Sequence, residues 1–119
     1  MPARIVIAHD DTEFVDNTVT ALRAAGYDVL AFADSMSALA ALEVSKRVEV
    51  LITRVLFPQG TPNGVALGRM TRLKRPEVKV LFVARRDTEE HTEGVGEFLP
   101  TPARADDVVK VVDRLVSQR

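Results

Sequence analysis

Hydrophobic and polar positions follow one rhythm from end to end: short unbroken apolar runs, each followed by a stretch with helical spacing. Ile5-Val6-Ile7-Ala8 is the first run and stops at His9-Asp10-Asp11. A run this short, without polar alternation, is what a strand covered on both faces requires. Thr12 or Asp11 caps the following helix, in which Val15, Val19 and Leu22 recur until Gly26 stops it. Residues 27–32 form the second run, and Asp34 or Ser35 caps a second helix with Ala38, Leu39 and Leu42 on its inner face. The third and most apolar run spans 48–54, with Arg54 as its last residue. Pro58-Gln59-Gly60-Thr61-Pro62-Asn63-Gly64 is a loop by composition. A third helix carries Leu67, Met70 and Leu73 and ends before Pro76, because the residue preceding proline is pushed out of helical geometry.

Residues 78–84 form a fourth run. The polar segment 85–94 has room for about two helical turns at most. Glu97-Phe98-Leu99-Pro100 is a short fifth strand, and Asp106 or Asp107 opens a last helix with Val108, Val109, Val112, Leu115 and Val116 as a wide apolar stripe. Five strands alternating with helices predict a doubly wound α/β fold with a parallel sheet. Its strand ends at Asp10, Arg54 and Ala84 gather at one edge, where sites form in such sheets.

A chain of 119 residues is expected to be one domain, 1–119. Sixteen basic against seventeen acidic residues leave a net charge of −1, which gives no general attraction to nucleic acid or an acidic membrane. Five Phe and one Tyr are too few for a base-stacking platform. The absence of cysteine removes disulfides and thiolate metal sites. No apolar run reaches the roughly 20 residues of a membrane span. Met1-Pro2-Ala3-Arg4 leads directly into a strand, so no signal peptide and a cytoplasmic location are expected.

Together these pieces resemble the receiver domain of bacterial response regulators, the phospho-accepting partner of sensor histidine kinases. Ile5 through Asp11 resembles the family's first strand and acidic cluster. The third run through Pro58, with Gly64 beyond, resembles its third strand and loop glycine, and Gly94-Val95-Gly96-Glu97-Phe98-Leu99 followed by Thr101-Pro102 resembles the approach to its fifth strand and the step after it. The resemblance covers essentially the whole chain. It implies a flavodoxin-like five-stranded sheet in the order 2-1-3-4-5. About five residues fewer than usual lie between Ala84 and Phe98, so a shortened or irregular fourth helix is expected.

The family's phosphotransfer uses two acidic residues that hold a divalent cation, an aspartate nucleophile, a hydroxyl residue and a lysine. On this sequence the acidic pair falls at His9 and Asp10 with Asp11 beyond, the nucleophile position at Arg54, the hydroxyl position at Ala84 and the lysine position at Thr101. Phe98 stands at the position of the switch aromatic. An arginine stays protonated and cannot attack phosphorus, and three carboxylates with a lysine have become two carboxylates with an arginine. The resemblance thus implies a degenerate pseudo-receiver in two-component or phosphorelay signalling. It is expected to be no enzyme, to lack cofactor and metal, and to act through protein–protein interaction. A histidine kinase, an output protein or a homodimer through the face of the fourth helix, fifth strand and fifth helix are the expected partners. Apolar residues there, such as Val95 or Val109, are candidates to seed the contact.

Arg54 has two readings: an ion pair with Asp10 or Asp11 that replaces the metal, or an anion or nucleotide site completed by Arg85 and Arg86. His9 is a hydrogen-bonded bystander, a phosphate acceptor or a metal ligand; His91 is a solvated side chain. Residual phospho-acceptance through Asp10, Asp11 or His9 is a further alternative.

Overall fold

The computed structural model describes residues 4–57 and 63–118. The segment Pro58-Gln59-Gly60-Thr61-Pro62, the greater part of the stretch read above as loop, therefore lies outside the described residues. The apolar runs become β1 (Arg4–Ala8), β2 (Asp28–Phe32), β3 (Val48–Thr53), β4 (Lys79–Ala84) and β5 (Glu97–Pro100). All pair in parallel, in the order β2-β1-β3-β4-β5. Between them lie α1 (Thr12–Ala24), α2 (Ser35–Val44), α3 (Gly64–Lys74) and α4 (Ala105–Ser117), with a 3-10 segment at Arg86–Thr92. Ala8 pairs with Phe32 and Thr53, Thr53 with Phe82, and Ala84 with Pro100, so the strands finish together at one edge.

Alternation of side chains along each strand divides the core into two layers. Ile5, Ile7, Val50, Ile52, Leu81 and Val83 pack with Leu22 of α1 and Val108, Val112 and Leu115 of α4. On the other face Val6, Ala8, Leu51, Val80 and Phe82 pack with Ala38 and Leu42 of α2 and Leu67 of α3. Helices α1 and α4 thus share one face and α2 and α3 the other, as right-handed crossovers demand. Three helices begin on a side-chain cap: Asp11 accepts from Phe14 N–H at 3.1 Å, Asp34 from Ser37 N–H at 2.7 Å, and Asn63 from Ala66 N–H at 2.8 Å. Gly26 follows α1 with φ of 95°, a backbone conformation that costs glycine nothing.

Several boundaries and faces differ from the sequence expectation. Tyr27, Arg54 and Val78 flank their strands, and α4 starts at Ala105, before the two aspartates and without a side-chain cap. Leu73 is 84% exposed rather than facing the core. At 100° per residue the inward position four beyond Leu67 is Thr71, which is buried and donates to the Leu67 carbonyl at 2.8 Å, while Leu73 falls on the opposite side. Val95 is also corrected: it is buried against the α2–α3 layer and offers nothing to a partner. Val109 is half-buried against the α1–α4 layer. The polar segment after β4 makes a single run of 3-10 helix, seven residues long, as its composition and shortness lead one to expect.

Arg75, just after α3, ties the α2–α3 layer together. Its guanidinium donates to Leu42 O at 3.0 Å in the last turn of α2 and to Ser45 O and Lys46 O (the latter at 2.8 Å) just beyond it, and its Nε reaches Glu77 at 3.0 Å.

Candidate functional site: the crevice at the strand ends

His9, Asp10 and Asp11 leave β1 and Arg54 leaves β3, while Arg85 follows β4 and Thr101 follows β5. The register places these exits side by side. His9 is buried, its backbone N–H held by Phe32 O at 3.0 Å. Its Nε2 lies 3.2 Å from Val83 O and its Nδ1 accepts from Asp11 N–H at 3.2 Å. That pair of partners assigns the proton to Nε2 and leaves a neutral ring with both nitrogens used. The ring also lies against Phe14, centroids 4.7 Å apart. Burial holds the His9 pKa below its ordinary 6.5, the Val83 carbonyl opposes that shift, and the Arg54 charge adds to it.

Arg54 donates from Nη1 to Asp10 across the edge of the sheet, and the two side chains are 32% and 37% exposed. The Arg54 backbone is fixed from three sides. Its N–H donates to Ala8 O at 3.2 Å, its carbonyl accepts from Thr53 Oγ1 at 2.9 Å, and Gly64 packs on that same carbonyl. A Cβ at Gly64 would lie 1.6 Å from Arg54 O, so only glycine lets α3 start this close to the crevice.

Asp11 uses its carboxylate on the N-terminus of α1, which leaves Asp10 as the partner of Arg54. Ala84 is buried, and its carbonyl accepts from Thr101 N–H at 2.8 Å. The Thr101-Pro102 peptide is cis. Phe98 is half-buried against the α2–α3 layer. Arg85 turns to Asp87 at 3.0 Å, both side chains well exposed, and Arg86 is exposed at the start of the 3-10 segment. Of the three arginines read as an anion site, Arg54 and Arg85 thus each pair with a carboxylate, Asp10 and Asp87.

His9, Asp11 and Thr101 line a cleft of about 290 Å³ together with Phe14, Asn17 and Thr18. Sequence reasoning missed Asn17 and Thr18; the Thr18 hydroxyl is buried and finds no hydrogen-bond partner. No pattern in one dimension sets them apart from other polar positions of an amphipathic helix. A larger hollow of about 500 Å³ lies away from these residues, between α3 and the 3-10 segment.

The divalent cation that phosphotransfer uses in the resembled family does not fit this donor set. Asp10 is taken by Arg54, Asp11 by the helix cap, and both His9 nitrogens by backbone groups. Among the described residues no group of three or more His, Asp or Glu gathers in a metal-binding arrangement. Nor, among them, is any helix long and apolar enough to cross a membrane.

Neither a protein-family model nor a curated protein matches the sequence. Solved structures do match its fold. The CheY-like response regulator receiver domain protein from Methanospirillum hungatei superposes with a TM-score of 0.88 at 21% identity, over 99% of this chain and 96% of that one. The receiver domain of the hybrid histidine kinase CckA gives 0.80 at 26% identity, over 97% and 100%. An adenylate cyclase structure from Rhodopirellula baltica gives 0.86 at 20% identity, over 99% and 90%. The fold of this chain, a five-stranded parallel sheet in the order 2-1-3-4-5 flanked by helices, is the flavodoxin-like fold of response regulator receiver domains.

Proposed function

We propose that this chain is a pseudo-receiver, a signalling module of the two-component type that works by protein–protein contact and takes no phosphoryl group at the usual position. The observation that carries the reading is the Arg54–Asp10 pair. A fixed cation stands at the exit of β3, and it binds the carboxylate that a phosphotransfer site would give to a metal. An arginine cannot be the nucleophile, and its charge repels the cation that would shield an incoming phosphoryl group. Such a domain is not an enzyme; it holds or titrates a partner.

The proposed contact face is made by the 3-10 segment, β5 and α4, where Glu97 and Arg114 form a two-pronged pair at 2.5 Å that ties β5 to α4. The proposed partners are a histidine kinase or an output protein, met without a phosphorylation step. Recording the amide NMR spectrum before and after magnesium with beryllofluoride, a phosphoryl mimic, tests this. Unmoved resonances for Asp10, Arg54, Ala84 and Thr101 support the reading, and saturable shifts there contradict it.

A further inference from the structure

Between α1 and the turn after β5 lies the cleft of about 290 Å³, to which Phe14, Pro102 and Ala103 contribute apolar surface. That volume is at the small end of ligand sites, roughly 300 Å³ and upward, and it limits an occupant to one ring or a short chain. Asp11 and Glu13, both exposed, bring two carboxylates to the cleft. The α1 cap is made by Asp11 Oδ1, and a carboxylate has acceptor capacity beyond one such bond. Among the described residues no lysine or arginine lines the cleft; Arg104, although flanked by two lining alanines, does not. The His9 ring on its wall is uncharged, both nitrogens being used. The cleft therefore favours a cation over an anion.

Thr18 adds an independent sign of a ligand. It lines the cleft and is fully buried, and its hydroxyl has no hydrogen-bond partner among the described residues. A threonine inside a helix commonly returns its hydroxyl to the carbonyl four residues back. Thr20 does so to Asp16 O at 2.9 Å and Thr71 to Leu67 O at 2.8 Å. Thr18 makes no such bond to Phe14 O. Leaving a buried hydroxyl unpaired is costly, and valine would fill the same space without that cost. We infer that this cleft binds a small organic cation, with an ammonium group held by Asp11 and Glu13, one ring or short chain against Phe14, and a hydroxyl or carbonyl that pairs with Thr18. The cleft includes neither Arg54 nor Asp10, so the inference does not rest on the pseudo-receiver reading.

Amide NMR titration of the whole chain with tyramine, an aromatic ammonium that carries a hydroxyl at its far end, is the direct test. Saturable shifts are expected at Asn17, Thr18, Thr101 and Ala103, with a Kd of about 1 mM, as suits a single-ring ligand. The anion para-hydroxyphenylacetate has the same ring and hydroxyl with a carboxylate in place of the ammonium, and it should leave these resonances unmoved. Glu13→Gln, at an exposed position, should weaken tyramine about two- to fivefold. Thr18→Val should weaken tyramine about two- to tenfold without lowering the melting temperature. Phenethylamine, the same amine without the hydroxyl, should bind Thr18→Val and the parent protein equally. No saturable shift up to about 20 mM tyramine, or an equal response to the anion, would overturn the inference. So would tyramine binding untouched by Thr18→Val, which would leave the hydroxyl to a water, or equal loss of both amines, which would make Thr18 a part of the fold alone. No phosphoryl donor or mimic takes part, so this claim and the pseudo-receiver reading stand or fall separately.

Discussion

The Arg54 guanidinium, just past β3, is bonded to the Asp10 carboxylate, just past β1, and closes the crevice between the two strand exits. Both side chains remain about one-third exposed. Water therefore screens the pair, and its contribution belongs with surface ion pairs rather than buried ones. Arg54→Ala is expected to cost no more than about 1 kcal/mol, less than a buried pair would lose. Chemical denaturation of the two proteins checks this, and a loss well above that value would mean the pair is sequestered from water.

Arg75 should matter more to stability than Arg54. It satisfies three carbonyls in the last turn of α2 and just beyond it from the far end of α3, and its side chain is only 18% exposed. Arg75→Ala is expected to cost about 2–3 kcal/mol. Arg75→Lys should recover only part, since an ammonium cannot reproduce the planar fork. Equal midpoints for Arg75→Ala and the parent protein would remove this residue from the account.

His9 gives a pH dependence with a definite sign. Its folded pKa lies below the ordinary 6.5, chiefly through burial. The unfolded chain therefore binds the proton first. The stability associated with the neutral ring is complete above about pH 6.5 and is lost as pH falls through the folded pKa. The carboxylates lowered by their partners, Glu97 by Arg114 and Asp34 by Ser37, lose their contributions only in a lower window. His9→Gln is expected to abolish the upper part of the acid sensitivity and leave the lower part. A melting-temperature difference between the two proteins that stays constant from pH 7 to about pH 5 would show that His9 does not titrate in this way.

Much of the fold is legible in the one-dimensional pattern because its strands are unbroken apolar runs, which have few other uses in so short a chain. The caps are readable to within one residue, Thr12 or Asp11 and Asp34 or Ser35, because a short polar acceptor before a helical run commonly caps it, and the structure gives both to the aspartates. The pairing choice at Arg54 is not readable, since both Asp10 and Asp11 lie within reach until one sees that the helix cap takes the second. Arg75 leaves no local trace at all: its three acceptors lie 29 to 33 positions earlier in the chain. Leu73 misleads because hydrophobic spacing in α3 is satisfied by Thr71, a polar residue whose hydroxyl is paid for by the helix backbone.

The central claim is that the crevice takes no phosphoryl group, and intact-mass measurement after incubation with magnesium and acetyl phosphate tests it most directly. The account predicts an unchanged mass for this chain. A stable phosphoryl adduct would contradict it, and the lability of that adduct in acid or base would show whether His9 or a carboxylate carries the group.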